Sequence, residues 1–88
     1  MERLDILYFA WVREGIGRDG EAIAHPGPDV TVAELVTTLA ARGGGYAAAL
    51  ANPARLRAAL DQRFVPLDTP LGDARELALF PPVTGGGR

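Results

Sequence analysis

The chain has 88 residues, 48% of them hydrophobic and 23% charged, with a formal net charge of -2. That bounds it to one domain with an ordinary globular core and excludes wholesale disorder. It contains no cysteine, and its nine basic residues are all scattered arginines. Disulfides, thiolate metal sites and thiol nucleophiles are therefore excluded, as are lysine Schiff-base or isopeptide chemistry. Without a basic tract, neither nucleic acid nor an anionic membrane is an expected partner.

"MERLDILYFA" carries Glu2 and Asp5 and moves directly into a strand pattern. It lacks the basic segment and apolar run of a signal peptide, and no stretch of the chain reaches the ~20 apolar residues of a membrane span. A cytoplasmic setting is expected. Leu4, Ile6 and Tyr8 alternate with Arg3, Asp5 and Leu7, which predicts a strand over residues 3–10. "WVREGIGRDG" supplies Gly15, Gly17 and Asp19-Gly20 as turn chemistry, so a long hairpin loop is expected before a short strand at residues 21–25.

Two prolines in "HPGPD" break the chain, and Thr31 and Glu34 then stand at the spacing of a capping box. Val32, Leu35, Val36 and Leu39 follow at i, i+3, i+4 and i+7, one apolar stripe of a helix that Gly43–Gly45 should end. "YAAALANPA" suits a turn or two of helix before Pro53. "RLRAALDQRFV" reads as a half-exposed strand, although its alanines and arginines would also accept helix. "PLDTPLGDA" is loop, and "RELALF" is a closing strand with Leu77 and Leu79 on one face and Glu76, Ala78 and Phe80 on the other.

The order strand, strand, helix, small helix, strand, loop, strand fits an α+β fold with one main helix packed on one face of a mixed sheet. A strand-helix-strand crossover allows the last strand to lie parallel to the first in the sheet centre. The expected architecture is a β-grasp, or ubiquitin-like, roll of four to five strands over residues 1–82, with residues 83–88 as a flexible glycine-rich tail.

The ending "FPPVTGGGR" sharpens that expectation. Pro81 and Pro82 stop ladder bonding and launch the chain off the body. Beyond Val83 and Thr84 come glycines without a Cβ, which fit a slot too narrow for any other residue. Such a stretch suits insertion into another protein's active site; the bland alternative is an inert chain end.

"LDILYFAWVRE", "VTVAELVTTLAAR" and "DTPLGDARELALFPPVTGG" together resemble the MoaD-type sulfur carriers, the small subunits of molybdopterin synthase. The Phe-Pro-Pro-Val-x-Gly-Gly ending is the most specific part of the likeness. The resemblance implies a non-catalytic sulfur-donor subunit of a heteromeric enzyme whose active site lies mainly on the large subunit. It further implies that a terminal glycine carboxylate is adenylated by a ubiquitin-activating-like adenylyltransferase, which uses ATP. A sulfur donor protein then converts it to a thiocarboxylate, and the sulfur passes to cyclic pyranopterin monophosphate in molybdenum cofactor biosynthesis.

No cofactor or metal is expected on this chain itself, and a heterotetramer with the large subunit is implied. The diglycine falls on Gly85 and Gly86, with Gly86 reactive, and the docking stem on Phe80, Pro81, Pro82, Val83 and Thr84. The chemistry is coherent: a carboxylate needs activation before sulfur can displace its oxygen, and in a chain without cysteine a C-terminal carbonyl is the one credible place to carry sulfur.

Two positions depart from the family pattern. Gly87 and Arg88 follow the diglycine, and an internal carbonyl cannot be adenylated: either both are trimmed to leave Gly86 terminal, which is the favoured expectation, or only Arg88 is lost and Gly87 reacts, or this copy is inactive as it stands. Asp61 stands where relatives usually carry asparagine, which calls a local turn hydrogen bond into question.

Other residues offer less. His25 has no nucleophile near it in sequence and is expected in a solvated or capping role. Asp68, Asp73 and Glu76 lack the pattern of a calcium loop, and "GIGRDG" lacks that of a phosphate loop. Trp11 and Phe80 fall outside the expected core and are candidates for partner contact. The rival functions are a thiamine-pathway sulfur carrier, against which the Phe-Pro-Pro-Val stem argues, and a β-grasp binding module with an inert tail.

Overall fold

A computed structural model describes residues 2–82. Strand β1, Arg3–Tyr8, follows its alternation: Leu4, Ile6 and Tyr8 point inward and are no more than 1% exposed. It ends two residues short of the expected boundary because Ala10 adopts φ 54, a left-handed conformation that cannot continue a ladder. The chain turns there into helix α1, Ala10–Ile16, where a glycine-rich loop is predicted. The helix holds because Val12 is fully buried in the core, tertiary packing outweighing a weak local preference. Gly17, at φ 91, closes it by donating to the Arg13 carbonyl. Strand β2, Gly20–Ala24, then returns antiparallel to β1.

Helix α2, Val32–Ala40, starts at the expected box: the Glu34 amide donates to Thr31 Oγ1 at 3.1 Å and the Thr31 amide to Glu34 Oε1 at 2.9 Å. All four residues of its stripe are buried. The three glycines divide between two tasks. Gly43, at φ 81, turns the chain, while Gly44 and Gly45 open a second short helix, α3, Gly44–Ala49. A Cβ on Gly45 would strike the Gly15 carbonyl, and one on Gly15 would lie 2.9 Å from the Ala49 Cβ. The close approach of α1 and α3 therefore requires both glycines.

The run 55–65 is not one half-exposed strand. After a 3-10 turn at Pro53–Arg55 it makes two strands, β3 at Arg57–Leu60 and β4 at Arg63–Val65, joined by Asp61 and Gln62 at φ 49 and 70. Two successive positive φ values form the tight turn whose twist suits a hairpin. Ala58, Ala59 and Leu60 are all buried, because β3 lies inside the sheet instead of at its edge.

Strand β5, Glu76–Phe80, completes a five-stranded sheet in the order β2-β1-β5-β3-β4. β5 runs parallel to β1 and antiparallel to β3, the central pairing expected of a β-grasp roll. The core joins Leu4, Ile6, Val36, Leu39, Leu77 and Leu79 with Val12 of α1 and, at its margin, Tyr46 and Ala49 of α3. Three helical elements thus contribute to it, not the one main helix alone. No helix among the described residues is long and apolar enough to cross a membrane.

Candidate functional site

The site is built around the end of β5. Phe80 pairs with Arg57 of β3, Leu79 pairs with Tyr8 of β1, and the Phe9 amide donates to the Leu79 carbonyl at 3.2 Å. The strand is therefore held on both sides up to Leu79, and its last residue, Phe80, on the β3 side. Pro81 and Pro82 follow, half-buried, and lack the amide hydrogens that would extend a ladder. Of the expected site residues, Val83, Thr84, Gly85 and Gly86 lie outside the described residues, as do Gly87 and Arg88.

Phe80 lies on the sheet face opposite the core, as its alternation predicts, yet it is half-buried because Phe64 of β4 packs on it, ring centroids 5.3 Å apart at 43°. Leu7, Phe9, Ala59, Phe64, Ala78 and Phe80, together with the polar Gln62 and Glu76, line a shallow depression of about 540 Å³. The two alanines form its low floor and the aromatics its walls. Phe64 is 76% exposed and Phe9 45%, and a contiguous apolar surface of this kind marks an interaction site more often than a solvated one. Sequence reasoning singled out Phe80 and missed Phe64 and Phe9. Recognising the turn at Asp61–Gln62 would have set Phe64 opposite Ala59. Trp11 is 37% exposed on α1, apart from those lining residues, with the Arg55 guanidinium 5.9 Å from its ring centre.

The same end of the sheet is braced by Glu21 of β2. Its carboxylate accepts from Tyr8 Oη at 2.8 Å, Tyr46 Oη at 2.6 Å and an Arg42 nitrogen at 2.7 Å, with its side chain only 11% exposed. Burial works against the charge, but the hydrogen bonds from Tyr46, Arg42 and Tyr8 outweigh it and hold the carboxyl at about 2. Burial and the bond to Glu21 push the Tyr8 phenol well above its ordinary value, so it stays a donor. The carboxylate ties β1, β2, α3 and the turn after α2 together beside the tail root.

Asp61 keeps the turn intact. Its Oδ1 accepts from the Arg75 and Glu76 amides at 3.0 and 3.1 Å, and its own amide donates to the Glu76 carbonyl at 3.0 Å. A carboxylate oxygen serves there as well as an asparagine carbonyl would. His25 Nδ1 accepts from the Gly27 amide at 3.1 Å, the capping role expected of it. Among the described residues no three metal-ligating side chains come together, Asp68, Asp73 and Glu76 included.

The sequence matches the ThiS family over residues 6–86. The chain belongs to that family. It is 43% identical over 83 residues to the molybdopterin synthase sulfur carrier subunit of Escherichia coli (strain K12), covering 94% of this chain and 99% of the relative. The corresponding subunit of Haemophilus influenzae is 39% identical over 84 residues, with the same coverage. Among solved structures, a Pyrococcus furiosus protein described as a molybdopterin converting factor, subunit 1, superposes with a TM-score of 0.73 at 25% identity, over 94% of this chain and all of that one. The small archaeal modifier protein 1 of Methanosarcina acetivorans, at 20% identity and TM-score 0.69 over 98% of each chain, shows the shared fold alone. The ubiquitin-like β-grasp roll read from the strand order is the fold of this ThiS-family chain.

Proposed function

We propose that this chain is the sulfur-carrier small subunit of molybdopterin synthase. The observation that carries the reading is the exit of the chain: a central strand delivers Phe80, Pro81 and Pro82 beside an exposed apolar face, and the sequence continues Val-Thr-Gly-Gly. Two relatives bearing that subunit's name support it along nearly their whole length.

In this reading residues 1–82 are the body and residues 83–88 the working tail. The apolar face, with Phe64 and Phe80 as anchors, docks on the large subunit, and the tail enters its active site as an extended strand. Removal of Gly87 and Arg88 exposes the Gly86 carboxylate. An adenylyltransferase related to ubiquitin-activating enzymes joins that carboxylate to the α-phosphorus of ATP with loss of pyrophosphate. The outer sulfur of a persulfide on a donor protein attacks the carbonyl and AMP leaves, since the mixed anhydride supplies the leaving group that a free carboxylate lacks. A thiol then attacks the donor's own sulfur in the resulting acyl disulfide, forming a new disulfide and releasing the thiocarboxylate.

The resulting thiocarboxylate is anionic at neutral pH, so its sulfur displaces an oxygen substituent of cyclic pyranopterin monophosphate without help from a base on this chain. Water then cleaves the acyl–sulfur bond, leaving the sulfur on the pterin and returning the Gly86 carboxylate. Two such heterodimers associate as a heterotetramer in the cytoplasm, where a chain free of cysteine loses nothing to the reducing conditions.

Intact-mass measurement of the protein from its native cell tests the reading. The expected species ends at Gly86, with a fraction carrying sulfur in place of oxygen. Arg88 retained on every molecule would leave an inert-tailed binding module instead. A chain truncated after Thr84 should fold normally and support no sulfur transfer.

A further inference from the structure

We infer that Arg55 and Arg57 form a cationic collar at the root of the tail, which docks against carboxylates around the mouth of the partner slot that receives it. The inference rests on the sulfur-carrier reading and adds the chemistry of the partner's rim.

Four arginines of the described chain are matched by carboxylates within 4 Å: Arg3 with Asp5, Arg13 with Asp19, and Arg18 and Arg42 with Glu21. Arg55, Arg57, Arg63 and Arg75 have no carboxylate at that distance among the described residues, and of these Arg55 and Arg57 are held in place by other groups. The Arg57 guanidinium donates through one nitrogen to the Leu56 carbonyl at 2.9 Å and the Ala54 carbonyl at 3.4 Å. That of Arg55 sits 5.9 Å from the Trp11 ring centre. A carbonyl and an indole face fix a guanidinium in place without cancelling its charge. A guanidinium has five donor hydrogens, and those on the other nitrogens of Arg57 are left for a partner.

Their placement suits the mouth of a slot. Arg57 is the register partner of Phe80, the last residue of β5. Trp11 belongs to the helix that follows β1, the neighbour of β5 on its other side. The last residue of β5 therefore has Arg57 beside it on the β3 side, with Arg55 two residues before Arg57 and in contact with Trp11, which follows the strand on the other side. Arg57 also closes a notch of about 470 Å³ with Phe64, Pro66 and Phe80. An aspartate or glutamate beside an apolar side chain on the partner would fill both parts of that notch.

Other anions fit less well. Two cations on a chain of net charge -2 are too few for a polyanion such as nucleic acid. The nucleotide phosphate of the activating step is out of reach: in an extended tail Gly86 lies roughly 17 Å from Pro81. What remains within reach is the protein surface around the slot's mouth.

The test is stopped-flow association of the full chain with its cognate large subunit across a series of salt concentrations. The double variant Arg55→Glu/Arg57→Glu should associate about tenfold or more slowly at low salt, with a flattened salt dependence. Arg75→Glu, at the far end of the sheet, should not change the rate. Circular dichroism checks the fold, and Arg55→Gln/Arg57→Gln removes the charge without reversing it should the double reversal fail to fold. Equal rates and equal salt dependence for wild type and charge variants would overturn the collar alone. Absence of any binding by wild type would overturn the sulfur-carrier reading and the collar with it.

Discussion

Replacing Glu21 by glutamine keeps the volume of the side chain and one acceptor oxygen, but removes the charge on which Tyr8, Tyr46 and Arg42 converge. The magnitude follows from the carboxyl's displacement. It moves from an ordinary 4.5 to about 2 in the folded chain, and each unit corresponds to about 1.4 kcal/mol, so the charged form stabilises the fold by about 3 kcal/mol. Glutamine retains part of this through its carbonyl, yet turns an NH2 group toward partners that are themselves donors. A loss of about 2–3 kcal/mol at pH 7 is expected, which for a domain of this size lowers Tm by about 10–20 °C.

The pH dependence separates charge from packing. The folded-state value lies below the unfolded one, so the stabilisation is complete above pH 4.5 and is lost as pH falls through 4.5 toward 2. Urea unfolding of wild type and Glu21→Gln at pH 7, 5 and 3 should show the same gap at the first two values and a gap less than half as large at the third. A gap as wide at pH 3 as at pH 7 would assign the loss to packing and refute the charge account; no gap at pH 7 would refute the brace altogether.

Three further outcomes follow from the same geometry. Gly45→Ala puts a methyl against the Gly15 carbonyl, a backbone atom that cannot rotate away, and should cost about 1–3 kcal/mol by calorimetry. Asp61→Asn should change stability by less than about 0.5 kcal/mol because the acceptor oxygen is kept, whereas Asp61→Ala frees the Arg75 and Glu76 amides and should cost about 1–2 kcal/mol in urea unfolding. Phe64→Asp alters a side chain that is 76% exposed, so Tm should stay within a few degrees. Its Kd for the large subunit, measured by titration calorimetry, should rise at least about tenfold.

The elements legible in the sequence are those in which local and tertiary signals agree. The α2 stripe, its capping box and the alternation of β1 and β5 all place the same residues inside. The elements that were hidden turn on unusual backbone conformations carried by ordinary residues. Ala10 at φ 54 and Gln62 at φ 70 make sharp reversals that a reader looks for at glycine or asparagine. Around them the local pattern therefore predicts a strand that is too long and one strand in place of a hairpin. The apolar face was half legible for the same reason: Phe80 lies on a strand of clear alternation, while Phe64 takes its meaning only once the Asp61–Gln62 turn sets it across from Ala59. The Glu21 brace joins residues 13 to 25 positions apart, and no local pattern marks it.

In the proposed sulfur-carrier reading, the apolar face and the tail act as one device in thermodynamic terms. Fixing four residues of backbone, the span from Val83 to Gly86, in one extended conformation costs about 4–8 kcal/mol. Glycine lies at the upper end of that range, because it has more freedom to lose. Pro81 and Pro82 reduce the segment that must be ordered, since their φ is already set. At about 25 cal/mol per Å², the remainder is offset by roughly 160–320 Å² of buried apolar surface, which one or two phenylalanine side chains supply. Phe64 and Phe80 pack on each other at the end of β5, next to the residues from which the glycines continue in sequence. A face placed elsewhere on the body would hold the partner without directing the chain end into its slot.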